Sequence, residues 1–392
     1  MAARRDALFV FVWSRAAIWV GALLALFTFL PNGDPRSIHR DDPTLIHDLG
    51  RFTDVWARWD SVWFIRIAQH GYDVAAGAPA FYPLYPALVA VAGRLCGGHY
   101  VLGGLIVSMA ATAASFVLLA RLAERLVGPE AASRSVLLLA VFPMSLFLQA
   151  VYSESVFLLA AIAAFLAAER GQFARAGVWA GASLLARPTG VAVLLGIAVL
   201  AWCSPQRLRA AGSTLLALPV FALFPLWLWH DTGHPFSFLH VEQLWHRRTA
   251  TLGPLGGVWE AAHATWAGIL QLSIGSNTHW YWVPVSPDRA ATINIEAMLY
   301  FIVFVFLGVV AWRKLGAAYG VMALVAVIAP TAAPTHAYPL LSMPRFGLGA
   351  FPIFIALALL CRTARITHAV VGASAVLLGV ATVQWALWQW VS

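Results

Sequence analysis

Apolar runs of about bilayer length recur along the whole chain, and no other feature limits its fold so strongly. An α-helix rises 1.5 Å per residue, so crossing roughly 30 Å of hydrocarbon takes about 20 apolar residues. Eleven candidate spans are read near residues 8–30, 101–123, 132–150, 154–169, 174–187, 189–203, 211–230, 291–312, 316–333, 343–361 and 367–390. Of the 392 residues, 61% are hydrophobic and 11% charged, against about 25% charged in soluble domains. A soluble enzyme is excluded. The expectation is an all-α polytopic membrane protein forming one transmembrane domain over residues 1–392, because a helix satisfies its own backbone hydrogen bonds inside lipid.

Charge sets the expected orientation. With the N-terminus cytoplasmic, the inner gaps carry thirteen Arg and Lys, from Arg4 and Arg5 to Arg362 and Arg365, against four acidic residues, Asp6, Glu124, Glu130 and Glu169. Such an excess on the inside follows the positive-inside rule. It also decides two ambiguous stretches. A single span over 174–203 would put every later basic gap outside, so the chain is read as a hairpin with Ala186-Arg187-Pro188-Thr189-Gly190 at an outer tip. Residues 81–97 are read as a helix lying in the outer interface for the same reason. Arg15, one turn inside the first span, is expected to snorkel to the cytoplasmic face. The net charge of +8 has this topological cause. No basic run interleaved with aromatic residues suggests nucleic acid as a partner.

Two long gaps, 31–100 and 231–290, fall outside, and long connections in compact proteins commonly form lids or binding loops. Cys96, Cys203 and Cys361 lie far apart without CxxC spacing, and the histidines of 231–290 form no HExxH pair, so no metal site is expected. The segment from Arg58 to Tyr72 is the most informative. Read as a helix, it puts Trp59, Trp63, Arg66 and His70 on one stripe, suited to an interfacial helix with its aromatic residues at the headgroups, Arg66 near a lipid phosphate and Gly71 at its end. An ordinary amphipathic interfacial helix, with His70 purely structural, has the same periodicity. Phe81-Tyr82-Pro83-Leu84-Tyr85-Pro86 follows, and by itself reads as a helix start anchored by aromatic residues.

Taken together, Trp59-Asp60-x-x-x-Phe64-x-x-Ile67-Ala68-x-x-Gly71-Tyr72 followed by Ala80-Phe81-Tyr82-Pro83-Leu84-Tyr85-Pro86 closely resembles the PIG-V type of GPI mannosyltransferase and its prokaryotic relatives, a branch of the GT-C membrane glycosyltransferases. Tyr152-Ser153-Glu154-Ser155, the Arg187 turn and Ser342-Met343-Pro344-Arg345-Phe346 are similar to further elements of that family. Residues 231–290 match it only loosely. The resemblance implies a GT-C fold of about 11 transmembrane helices, with interfacial helices in the first outer loop and an extracytoplasmic site. It implies inverting transfer of a hexose, mannose in the family, from a polyprenyl-phosphate donor to a glycolipid, glycan or protein acceptor. The family's functional Trp-Asp pair maps onto Trp59 and Asp60, with Asp60 as base.

Residue chemistry adds cations. A phosphate leaving group develops charge that fixed guanidinium groups stabilise, and Arg58, Arg66, Arg187 and Arg345 all fall at the outer level. With them no metal or other cofactor is required, and the expected partners are the donor, the acceptor and membrane lipid. Tyr82 and His70 complete the expected donor site. Glu154 either orients the acceptor or pairs with an arginine. Gln243 and His246 are acceptor candidates, although His246-Arg247-Arg248 reads equally well as a solvated basic turn. A transporter or flippase of a lipid-linked sugar is the alternative, since transporters also use broken hairpins such as that at Arg187-Pro188. It conflicts with carboxylates gathered in outer loops instead of at the bilayer midplane.

Overall fold

A computed structural model describes residues 2–30, 47–275 and 286–391. The architecture is helical throughout, and among the described residues the only β pairing is an isolated bridge between Arg247 and Thr335. The helix Glu154–Ala168 is apolar on every side, and every residue in it except Leu159 is buried. That pattern marks a helix at the centre of a bundle. Around it pack Tyr100–Val127, Phe173–Ala186 and Gly190–Trp202. Small residues permit the close approaches. A Cβ on Gly103 would lie 2.5 Å from the backbone nitrogen of Gly93, which is how Leu84–Leu95 folds back against Tyr100–Val127.

Among the described residues five helices are long and apolar enough to cross a membrane: Arg5–Thr28, Tyr100–Val127, the segmented run Arg207–Thr232, Pro287–Leu315 and Ala364–Ala386. The pair Met343–Gly349 and Pro352–Leu360 passes the same test but bends by 91°, so 343–361 is not one straight span. The apolar helices Glu154–Ala168 and Gly190–Trp202 are shorter than a bilayer is thick.

Residues 132–150 also differ from a continuous span. An α-helix ends at Ala140, and a 3-10 helix covers Pro143–Leu148. Pro143 has no N–H to continue the ladder and forces Phe142 into an extended conformation. The carbonyls freed by this break are met by Arg15. Its guanidinium donates to Ala140 O at 2.9 Å and Ser145 O at 2.7 Å, and the residue is 1% exposed. Arg15 therefore ties the bundle together internally and does not snorkel.

The first long gap is also more deeply packed than its periodicity suggests. Its helix begins at Ser61, and Ser61–Ile65, Ile67 and Ala68 are all buried. Helices Leu84–Leu95 and Tyr100–Val127 pack against it, so it is a protein-enclosed helix and not one lying on the membrane. Trp59 precedes it on a left-handed turn and leaves the proposed stripe. Gly71 does end this helix, at φ 79°. The second long gap contains a helix of 21 residues, Pro254–Ile274, which packs against Pro287–Leu315.

Candidate active site

A cavity of about 930 Å³ opens where the first long gap, the Arg187 turn, the 329–346 segment and the chain's last residues converge. Four charged side chains from four different segments meet at its floor. Arg345, on the short helix Met343–Gly349, donates from Nη1 to Asp60 Oδ2 at 3.0 Å. Its Nε lies 2.8 Å from Glu154 Oε1, and Arg187 Nη1 lies 2.5 Å from the same oxygen. Two carboxylates and two guanidinium groups thus form one electrically balanced chain. Glu154 is its deepest member, 3% exposed, at the first turn of the central helix, where the helix dipole favours a negative charge. Asp60 is 27% exposed and borders the cavity.

The backbone at Asp60 is fixed from below. Tyr152 accepts a hydrogen bond from the Asp60 N–H at 3.1 Å and donates one to Arg58 O at 3.1 Å. Burial, reinforced by the Asp60 charge, holds the Tyr152 phenol well above its ordinary pKa, so it keeps the proton it donates. The same ring and Phe147 lie 5.3 and 5.4 Å from the Arg345 guanidinium carbon. Asp60 Oδ1 has no hydrogen-bond partner among the described residues.

Backbone strain converges on this same cavity. Among the described residues four that are not glycine adopt positive φ: Trp59 at 51°, His246 at 57°, Ser342 at 65° and Trp388 at 61°. All four line the cavity. Each such conformation costs of order 1–3 kcal/mol and persists only where surrounding structure holds it, which is characteristic of functional sites. Ser342 precedes the helix that carries Arg345, and Trp59 immediately precedes Asp60.

The residues singled out in the sequence divide into two groups. Trp59, Asp60, Arg187, His246 and Arg345 line the cavity, and Glu154 lies directly behind it. The others lie off it. Arg58 is buried with its guanidinium 4.1 Å from the Trp388 ring centre and its Nη1 bonded to Asp54 O. Arg66 sits over the Trp63 ring at 4.8 Å, and His70 is exposed at its helix end. Tyr82 joins an aromatic cluster with Phe224, Phe221 and Phe238. Gln243 borders a shallower basic groove shared with His246, Arg247, Arg248 and His336.

Arg247, weighed in the sequence only as part of a basic turn, lines the cavity too, as do several residues that the sequence did not single out. Arg247 belongs to both the groove and the cavity, and its Nη1 donates to Ala333 O at 2.9 Å. Burial lowers its pKa, while Glu242 and Asp60 oppose that shift and Arg345 adds to it. Arg289, Gln384, Trp388, Gln389 and Trp390 also line the cavity. Signals for these were weak because an isolated Arg, a terminal Trp or a Gln at the end of an apolar run has no local motif. No group of three or more His, Cys, Asp and Glu side chains among the described residues is placed to hold a metal ion.

Several helices among the described residues are long and apolar enough to cross a membrane, and part of the chain matches the model of a known transferase family. That family is described as mannosyltransferase (PIG-V), and its model matches residues 43–218, the stretch that includes Asp60, Glu154 and Arg187. No curated protein matches the sequence. Among solved structures the chain is similar to the oligosaccharyltransferase AglB from Archaeoglobus fulgidus in complex with an inhibitory peptide and a dolichol-phosphate. The identity is 12% and the TM-score 0.44, over 94% of this chain and 56% of that one. The A. fulgidus oligosaccharyltransferase complex with Zn and sulfate gives 14% and 0.46, over 97% and 52%. The chain therefore spans little more than half the length of these proteins.

Proposed function

We propose that the protein transfers a hexose, mannose by its family, from a polyprenyl-phosphate donor to an acceptor hydroxyl on the extracytoplasmic side, with inversion and within a GT-C fold. The observation that carries this reading is Asp60, held on a strained turn by Arg345 at the floor of a cavity with apolar and aromatic walls. In the reaction the acceptor oxygen forms a bond to the anomeric carbon as the bond from that carbon to the phosphate oxygen breaks. The electron pair leaves with the polyprenyl phosphate, and the hydroxyl proton passes to Asp60. A positioned carboxylate suffices for this role because the hydroxyl acidifies only as the new bond forms. Asp60 Oδ1, which has no partner among the described residues, is the oxygen available for this proton.

Arg187, Arg345 and Arg247 border the cavity and would face the phosphate, stabilising the charge that grows on it without a metal or other cofactor. Arg345 is shared: phosphate binding draws its guanidinium toward the donor and loosens its hold on Asp60. The acceptor, a glycolipid, glycan or protein, enters by way of the groove bordered by Gln243 and His246.

The test is transfer of label from radiolabelled polyprenyl-phosphate-mannose to a membrane-lipid extract by purified protein in nanodiscs. Asp60→Asn preserves size and removes the proton acceptor, and it is expected to lower kcat about 10²–10⁴-fold. Equal transfer by this variant would remove Asp60 from the mechanism. Lipid crossing of proteoliposomes without any transfer would favour the flippase.

A further inference from the structure

We propose that the segment Gln384–Trp390 is the sugar-binding wall of the cavity, with the Trp388 indole as stacking platform and the Gln384 and Gln389 amides as ligands for the hydroxyls. This rests on the glycosyl-transfer reading of Asp60 and names the part of the site that holds the transferred sugar.

A hexose presents C–H groups on its faces and alternating donors and acceptors at its edge. The matching surface is an aromatic ring flanked by groups that both donate and accept. Such a surface stands beside Asp60. Gln384, Trp388, Gln389 and Trp390 line the same cavity as Asp60 and Arg345. The Trp59 ring, adjacent in sequence to the base, meets Trp388 at 5.8 Å and Trp390 at 5.3 Å between ring centres. The charged groups on the floor are engaged with one another except for Asp60 Oδ1, the oxygen assigned to the proton, whereas neither glutamine side chain has a hydrogen-bond partner among the described residues. Two amides without partners among the described residues, set beside an aromatic ring in the cavity wall, can both donate to and accept from hydroxyls.

The wall is also rigid, as a subsite that positions an anomeric carbon must be. Trp385 Nε1 donates to Val55 O at 2.7 Å, and the Gln389 N–H closes onto Gln384 O at 2.8 Å. Arg289 Nη2 holds Trp390 O at 3.0 Å. Arg58 stacks its guanidinium over the Trp388 ring and acts as a positioning residue, which accounts for its place off the cavity. The left-handed backbone of Trp388 is kept in place by this framework.

The experiment separates sugar recognition from transfer. Full-length protein in nanodiscs is titrated with farnesyl phosphate and with farnesyl phosphate carrying mannose, glucose or galactose, and bound ligand is counted by native mass spectrometry. In the wild type, at least one hexosylated lipid is expected to bind about tenfold more tightly than the bare phosphate. Gln384→Ala and Gln389→Ala each lower that ratio several-fold, Trp388→Ala brings it close to one, and Trp388→Phe restores part of it. Affinity for farnesyl phosphate stays constant through the series, which excludes misfolding as the cause. A ratio of one for all three sugars in the wild type, or a ratio unchanged in both glutamine variants, overturns the subsite. The transfer reading is judged separately on the same samples. Transfer with an unchanged ratio leaves the enzyme and removes the subsite, while sugar-dependent binding without transfer to any acceptor leaves the subsite and removes the enzyme.

Discussion

Glu154 is the residue on which the floor of the site depends, because it faces two guanidinium groups from the interior side while Asp60 faces one from the cavity. Removing one partner of a buried ion pair leaves a charge without compensation, and such losses run to about 3–5 kcal/mol. Glu154→Gln is therefore expected to lower the unfolding midpoint in detergent by several degrees. It also weakens transfer, since Arg187 and Arg345 are then left to Asp60 alone. Glu154→Asp, which keeps the charge, should recover most of the stability. An unchanged midpoint for Glu154→Gln would show that the carboxylate carries no such load. Residues at this scale were legible where they sat within short runs: Trp59-Asp60, Tyr152-Ser153-Glu154 and Pro344-Arg345 each have recognisable neighbours. The pairing of Arg345 with Asp60, 285 positions apart, was not legible, because no local pattern encodes which segments the bundle brings together. Arg58 shows the converse. It fell at the right level in the sequence, but its guanidinium is turned under Trp388.

At the scale of elements, proline and glycine decide where apolar runs stop being straight helices. Hydropathy sees residues 132–150 and 343–361 as spans, because a window average is blind to the missing N–H of Pro143 and to the 91° bend before Pro352–Leu360. Helix Pro254–Ile274 was hidden for the opposite reason. Glu260, His263 and Gln271 dilute its apolar pattern, although Trp259, Trp266, Leu272 and Ile274 remain exposed on it. That helix approaches the cavity wall through Gly257, where an added Cβ would lie 1.7 Å from Thr331 O. The obstruction is backbone and has no rotamer to yield. Gly257→Ala is expected to force Pro254–Ile274 away from the 329–332 turn at a cost of about 1–3 kcal/mol. Ala329 and Pro330 line the cavity, so the shift reaches the site as well. A lower unfolding midpoint together with a raised donor KM checks this. A variant with wild-type values for both would mean that the two elements separate without consequence.

For the molecule as a whole, the arrangement of charge and the arrangement of chemistry point to the same side of the membrane. The gaps read as inner hold the arginine excess, while Asp60, Arg187 and the Arg247 groove belong to segments read as outer. The apolar character of the bundle was legible because it is a sum over hundreds of residues and tolerates errors in any one helix boundary. Orientation rests on a few short gaps, and the chain's own cysteines provide a direct test of it. Cys96 follows the helix Leu84–Leu95 in the first outer gap and is half-buried, Cys203 is exposed after Gly190–Trp202 in a gap read as inner, and Cys361 is buried. A membrane-impermeant maleimide applied to intact cells should modify Cys96 and leave Cys203 untouched, and permeabilisation should then open Cys203 to the reagent. Variants retaining a single cysteine assign each signal, with Cys361 as the unreactive reference. Labelling of Cys203 from outside, with Cys96 protected until lysis, would invert the molecule. It would place Asp60 on the cytoplasmic side, where an extracytoplasmic acceptor cannot reach it. The same result would leave thirteen basic residues in the outer gaps against the positive-inside rule, so one experiment tests the charge argument and the geometry of transfer together.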